Sequence, residues 1–462
     1  MAVNLAERLA DYSASLRYDD IAASVLLEAK KRLLDTLGCA IGASGERPVK
    51  VVSRLATDGY RGQASTILGT RTKTTAEMAT LVNGLMIRYF DYNDTYLSKE
   101  PGHPSDNVSA CLATAEMEGR SGKDLLLGMV LAYEIQCRLC DAASLRVRGW
   151  DHVCYGLVSC ALAAGRLLKL SKDEMTQAVN ISLNSHLAMR QVRAGELSEW
   201  KGFSFANAAR NAVFSALLAR EGIRGPSPIF EGEMGFFRQV SGPFELETGS
   251  FGGRGGAGFK LGATFIKFFP AEYHAQSAIW AALEIRKAAG PALLDALESV
   301  LVETHEAGYT ILGKDREKWS PKTRETADHS LPYIVAASLL YGKVGLGTYS
   351  SRRLGDQRMR ELMEKVEVRE DPSLTRLYPE KIVNRVTLRL KDGRVFMEEV
   401  DDPKGHSTNP LTGDEVEAKF RSLTRGFMSD RQAARVIEIV WGIDRVDDVS
   451  SLIAACAAPK RR

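Results

Sequence analysis

The chain lacks a charge of one sign: 61 basic and 58 acidic residues among 462 leave a formal net charge of only +3. Nucleic-acid binding concentrates Lys and Arg on one face. The one small basic cluster here, Lys460-Arg461-Arg462, reads as a solvated tail. Long hydrophobic runs are missing too. The strongest apolar stretch, residues 125–135, carries Glu134 near its end and is too short to span a bilayer. The first residues hold no apolar core flanked by basic side chains, so no signal peptide is expected. The seven cysteines are odd in number and scattered, which excludes a disulfide framework and points to a reducing, cytoplasmic setting. Cys137-Arg-Leu-Cys140 has C-x-x-C spacing, but it falls inside an amphipathic helical pattern over 125–145 and has no second pair at zinc spacing. It reads as two half-buried helical thiols. The expectation is therefore a protein without nucleic acid, membrane, cofactor or metal.

What remains is ordinary globular material, 45% hydrophobic and 26% charged. The length allows roughly two to four domains. Helical spacing of apolar residues predicts helices over 21–43, 75–88, 108–118, 122–140, 153–170, 172–183 and 203–221. Ser121 and Ser171 read as N-caps, and Gly222 as the stop of the last of these helices. Runs such as Ser159-Cys-Ala-Leu-Ala-Ala-Gly165 are rich in small residues and predict close helix–helix packing. Residues 223–260 turn to Pro and Gly and read as long loops. Gly253-Arg-Gly255-Gly-Ala-Gly258 formally fits G-x-G-x-x-G, but no convincing strand precedes it, so it reads as a loop and not a dinucleotide site. Beyond it the pattern is mixed: a helix over 271–288, a strand over 300–304, a helix over 326–340, and a hairpin over 385–390 and 395–400 closed by Asp392-Gly393. Helices return over 413–423 and 429–440. The fold class is mainly α with an inserted α+β domain. A large helical domain takes residues 1–266 and 403–462, and a smaller α+β lid takes 267–402. A cleft between two such bodies is the default place for a small-molecule site.

Two neighbouring motifs hold the densest chemistry, Asp91-Tyr92-Asn93-Asp94-Thr95-Tyr96 and Gly102-His103-Pro104-Ser105-Asp106-Asn107. Ser105 or Asp106 is the expected N-cap of the helix at 108. That would set His103 beside the positive end of a helix, where an anion is stabilised. A base next to an anion site suits proton chemistry on a carboxylate; the same residue types also build an Asx-turn with a structural histidine. Other polar groups stand outside any amphipathic pattern: His152, Arg190, Lys201, Lys267, His274, Tyr309 and the Asp328-His329-Ser330 run. Lys267 lies within Phe265-Ile-Lys-Phe-Phe-Pro270, where an ammonium snorkels to water, pairs with a protein carboxylate or meets an anionic ligand. His152 and His274 read either as capping histidines or as site residues. His186 and His406 read as structural.

In order along the chain, Asp91-Tyr-Asn-Asp-Thr95, Gly102-His-Pro-Ser-Asp-Asn107, Glu199-Trp-Lys-Gly202, Phe230-Glu-Gly232, Lys267-Phe-Phe-Pro270, Arg324-Glu-Thr-Ala-Asp-His-Ser-Leu-Pro-Tyr333 and Gly405-His406 form a specific series. By this series the chain resembles the MmgE/PrpD family. The resemblance implies a homodimer, a helical domain built from both ends of the chain, an inserted lid, and a metal-independent lyase acting on a small di- or tricarboxylate. It implies dehydration of 2-methylcitrate or a citrate-like acid first, with decarboxylation of a cis-aconitate type or epimerisation of an iminodisuccinate type as alternatives. Carried over by position, it implies His103 and Asp91 as proton-transfer groups and His152 and His274 as positioning groups or the second acid. By the same resemblance Lys201 and Lys267 are expected to bind carboxylates and Thr95 and Tyr309 to line the pocket, while Asp94 and Arg190 are expected, apart from that carry-over, to complete the substrate-binding set.

Overall fold

The structure, a computed structural model, describes residues 3–58, 64–253, 255–256, 258–290 and 292–457. The Lys460-Arg461-Arg462 cluster lies outside the described residues, as do Arg254 and Ala257 of the glycine-rich match. The chain divides into two compact units.

The first unit joins Met1–Val192, Gly202–Thr264 and Thr412–Arg462. Its principal helices are α1 (Leu5–Ser15), α2 (Ala23–Ala43), α3 (Arg47–Asp58), α4 (Ala76–Arg88), α5 (Val108–Met117), α6 (Gly122–Ala142), α7 (Val153–Leu167), α8 (Lys172–Ser185) and α9 (Trp200–Arg220). Ser121 and Ser171 cap α6 and α8 as expected. Each serine side chain accepts from the backbone N–H three residues on, while Asp124 or Glu174 reaches back to the serine N–H. Gly222, at φ +84°, ends α9. Small residues do allow close approach: a Cβ on Gly156 of α7 would lie 2.5 Å from the Phe205 ring, and one on Gly84 of α4 would lie 2.9 Å from Ala206. Nearly all of α5 and α7 is buried. Cys137 and Cys140 are fully buried on α6 rather than half-buried, because this helix is enclosed on all sides. Burial pushes both thiols well up and leaves them protonated. The 223–260 region holds a π turn at Phe237–Ser241, and the glycine-rich match follows a 3-10 turn, Thr248–Ser250, where a dinucleotide site needs a strand.

The second unit comprises Arg193–Lys201 and Phe265–Leu411. Helix α10 (Gln276–Ala289) leads to strand β1 (Leu297–Thr304), then come α11 (Glu306–Leu312), α12 (Leu331–Tyr341), β2 (Val366–Glu370), β3 (Asn384–Leu390) and β4 (Val395–Val400). The sheet order is β2-β1-β3-β4; β1 runs parallel to β2 and antiparallel to β3, and β3 pairs antiparallel with β4. Val300, Val302, Val386 and Leu388 turn one face of the sheet toward Ile279, Ala282, Ile334 and Leu339 of α10 and α12. Asp392-Gly393 closes the hairpin, with Gly393 at φ +87°. Two helices differ from the pattern. The segment expected from 271 becomes a 3-10 turn, Tyr273–Ala275, before α10 starts. The segment expected from 326 breaks into Arg324–Ala327 and α12, because the Ser330 side chain caps a new helix and Pro332 occupies its first turn. The break frees Asp328 and His329 from a helical register.

The chain returns to the first unit through α13 (Gly413–Thr424) and α14 (Asp430–Trp441). A Cβ on Gly38 or Gly42 of α2 would lie 3.2 Å from Phe420 or 3.0 Å from Leu423 of α13, so the two glycines let these helices approach closely. No helix of the described residues is long and apolar enough to cross a membrane.

Candidate active site

In the first unit the two motifs form one structure. Tyr96 and Gly102 exchange backbone hydrogen bonds of 2.8 and 2.9 Å, and the Asn93 amide donates to Ser105 Oγ at 2.9 Å and Asp106 Oδ1 at 2.7 Å. Ser105 and Asp106 are not the cap of α5. Pro104 starts a 3-10 turn, Pro104–Asn107, that runs straight into the helix. Asp94 takes the capping role from outside, Oδ1 accepting from the Ser105 N–H at 2.9 Å. Burial pushes the Asp94 carboxyl up, and the bonds from Ser105 offset part of that. From the C-terminal return, Lys419 donates to the Tyr92 carbonyl at 2.8 Å and pairs with Asp35 at 2.6 Å.

His103 is held at both nitrogens. Nδ1 lies 2.7 Å from the Asp94 carbonyl and 3.3 Å from Thr95 Oγ1; Nε2 lies 2.9 Å from Arg88 Nη2. A carbonyl only accepts and a guanidinium only donates, so the ring is neutral, with its proton on Nδ1 and its lone pair on Nε2. Arg88 also binds Asp91 through Nη1, and both side chains are buried. Asp91 sits at φ +48°, the left-handed region that Asp tolerates better than most residues. The His152 ring stands edge-on to His103 with centroids 5.7 Å apart, and its Nε2 is 3.6 Å from Asp151 Oδ1. Thus Asp91, Asp94, Thr95, His103 and His152 come together. Arg88, which binds both Asp91 and His103, was not among the expected residues, although an arginine closing the apolar run Leu85-Met-Ile carries the same signal that marked Lys267.

In the second unit Lys201 Nζ lies 3.2 Å from both Asp328 Oδ1 and His329 Nδ1, which are themselves 2.6 Å apart. Lys318 is buried nearby, its ammonium pushed down by burial and by the charge of Lys201. Lys267 is fully buried, so it does not snorkel to water. Gly405, at φ +97°, closes onto the Ile266 carbonyl, and His406 stacks on Phe265 at 4.5 Å, which places Gly405-His406 as the clasp on the Lys267 segment. His274 Nδ1 lies 2.8 Å from Glu272 Oε1. Burial alone would raise the Glu272 carboxyl, but His274, His329 and Lys267 outweigh it and bring it down to about 2. His305 caps α11, Nδ1 accepting from the Gly308 N–H, and burial pushes it down to about 3. Tyr309, on α11, packs half-buried against the core of this unit. Arg190, in the first unit, is half-buried on a 3-10 turn that its backbone N–H ties to the Gly149 carbonyl at 2.9 Å.

The MmgE/PrpD N-terminal domain model matches residues 7–249 and the MmgE/PrpD C-terminal domain model matches residues 269–445. The chain belongs to the MmgE/PrpD family. Its relatives in the family include the 2-methylcitrate dehydratase of Salmonella typhimurium, 34% identical over 88% of this chain and 87% of that protein. That of Escherichia coli K12 is 33% identical over 88% of this chain and 87% of its own length. The mitochondrial 2-methylcitrate dehydratase of Yarrowia lipolytica is 30% identical over 93% of this chain and 85% of that protein.

Proposed function

We propose that this MmgE/PrpD chain is a hydro-lyase that removes water from 2-methylcitrate, or a close citrate-like acid, to give the cis-aconitate-type alkene. The observation that carries the reading is the tautomer of His103: with Nδ1–H tied to the Asp94 carbonyl, its basic lone pair is on Nε2, where it accepts from Arg88, the arginine that also binds Asp91. In the reaction His103 or Asp91 takes the proton on the carbon next to a carboxylate, the C–H electrons form the double bond, and the hydroxyl leaves as water with a proton from His152 or His274. Each such proton transfer contributes roughly 10²–10⁴-fold. Lys201 and Lys267 bind substrate carboxylates and hold the charge that builds up in the transition state. Thr95 hydrogen-bonds the substrate.

No metal is required in this scheme. Asp91 and Asp328 already have Arg88 and Lys201 as positive partners, which disfavours their use as ligands of a cation. We place the enzyme as a homodimer in a reducing compartment; the seven free, buried cysteines support the compartment. The test is incubation of the purified protein with 2-methylcitrate and a chelator. Rising ultraviolet absorbance from the conjugated alkene supports dehydration. Release of carbon dioxide from cis-aconitate, or solvent deuterium uptake without net product, would replace it with decarboxylation or epimerisation. Light scattering tests the dimer.

A further inference from the structure

Glu272 has no part in the scheme above, yet its carboxylate is built tightly around His274. The residue precedes the turn Tyr273–Ala275, and its Oε2 accepts from the His274 backbone N–H at 2.7 Å. The same carboxylate lies 2.8 and 3.0 Å from His274 Nδ1. Its own backbone N–H is fixed by the Asp328 carbonyl at 2.9 Å, which anchors the main chain from which the carboxylate reaches His274. On the far side of the ring, Nε2 lies 3.4 Å from the Tyr378 hydroxyl, and the Asn384 amide donates to the His274 carbonyl at 2.8 Å. The His305 ring is centred 5.1 Å from that of His274 and stacks on Tyr378 at 4.7 Å. Because the His305 Nδ1 already accepts a backbone N–H, that ring is neutral, and a positive charge in this group falls on His274.

We propose that Glu272 is the positioning residue of His274: it holds the ring with its proton on Nδ1, leaves Nε2 as the nitrogen that exchanges protons, and stabilises the imidazolium when His274 is charged. The charged and titratable groups facing this pair include Lys267, His329 and Lys318 on the Glu272 side and His305 and Tyr378 on the His274 side. The proposal rests on the reading of His274 as an acid in the dehydration. A carboxylate on the remote nitrogen of a catalytic imidazole fixes both orientation and tautomer, and its loss costs turnover rather than binding.

The experiment compares the full chain with Glu272→Gln and Glu272→Asp. Turnover of 2-methylcitrate is followed across pH, and the His274 ring nitrogens are followed by proton–nitrogen NMR without substrate, assigned with His274→Gln. Gln keeps an acceptor for the His274 backbone N–H but no negative charge. We expect Glu272→Gln to lower kcat roughly 10²–10⁴-fold with KM changed by less than about threefold, and to move the alkaline limb of the rate profile to lower pH. Glu272→Asp recovers part of the loss. In the spectra the native ring carries its proton on Nδ1, and Glu272→Gln lowers its titration midpoint. A native ring protonated on Nε2, or a Glu272→Gln ring that titrates as the native one does, would overturn the proposal. If Glu272→Gln does not fold, the native spectrum and Glu272→Asp decide it alone. A native protein inert toward 2-methylcitrate sinks the dehydratase reading instead, while the NMR arm still decides the pairing of Glu272 with His274.

Discussion

Arg88 donates to His103 Nε2 at 2.9 Å, and the same guanidinium binds Asp91. One buried cation thus fixes which nitrogen of the histidine is basic and neutralises the carboxylate beside it. Substitution separates these two effects. Arg88→Met leaves Asp91 buried without its cation and should cost about 3–5 kcal/mol of stability. Arg88→Met with Asp91→Asn should regain most of that, because no uncompensated charge then remains. Denaturant unfolding of the single and double variants checks it; equal stability of the two would show that Arg88 does not hold Asp91 electrostatically.

His103→Gln keeps the size and polarity of the side chain and removes its basic nitrogen. Turnover of 2-methylcitrate should fall by roughly 10²–10⁴-fold. Near-native turnover, with a native circular dichroism spectrum, would remove His103 from the chemistry.

Much of this was legible in the sequence, and what was not has a physical reason. Ser121 and Ser171 announce their helices because a capping box is a contact over three residues, and Asp392-Gly393 announces its hairpin for the same local reason. Asp91, Asp94, Thr95 and His103 stand out because they are polar groups crowded onto irregular chain. Arg88 and Glu272 do not stand out: each lies beside a helix end where a charged residue is unremarkable, and its meaning comes from the partner it meets. The Ser330 cap shows the converse. Apolar periodicity ran through 326–340 unbroken, and the Tyr333 N–H donating to Ser330 Oγ at 3.1 Å, with Pro332 in the first turn, decided that the helix starts afresh. Likewise the capping of Pro104–Asn107 by Asp94 joins residues eleven apart, beyond the reach of a local capping rule.

Close packing at Gly156 gives a prediction on stability alone. A methyl group there would stand 2.5 Å from the Phe205 ring, inside any allowed contact. Gly156→Ala should destabilise by about 1–3 kcal/mol, and Phe205→Leu in the same chain should relieve part of it. Thermal denaturation of the three variants measures the coupling. Additive losses would show that the ring moves aside freely.

Acid should unfold the protein in two windows. His305 is brought from its ordinary 6.5 to about 3 by burial, so between those values the unfolded chain binds a proton that the folded one refuses. Stability is therefore full above about 6.5 and is lost as pH falls toward 3, by up to about 5 kcal/mol at 1.36 kcal/mol per unit. Glu272 behaves likewise lower down: its carboxyl is brought from 4.5 to about 2, so its contribution is present above 4.5 and lost as pH falls through that window. The raised carboxyls of Asp35 and Asp94 oppose the trend, since the folded state binds their protons more readily. His305→Asn, which keeps a cap for α11, should flatten the upper window and leave the lower one in place. Urea midpoints measured against pH test this; an unchanged upper window would mean that His305 charges freely in the folded protein.

Lys201 meets Asp328 Oδ1 and His329 Nδ1 within the protein, both at 3.2 Å, and, in the dehydratase reading, a carboxylate of the substrate. Lys201→Met removes these interactions. Its stability loss should be about 3–5 kcal/mol, because Asp328 is left buried and charged. Adding Asp328→Asn should recover much of the stability, since the buried charge that Lys201 met is gone. It should not recover kcat/KM, because the cation that meets the substrate is still missing; about 1.4 kcal/mol of lost binding is a tenfold loss. Unfolding curves and steady-state rates on the same three proteins separate the two roles. If the double variant regains rate along with stability, Lys201 serves only to hold Asp328, and the carboxylate it was assigned must be bound by Lys267 or by the buried Lys318 beside it.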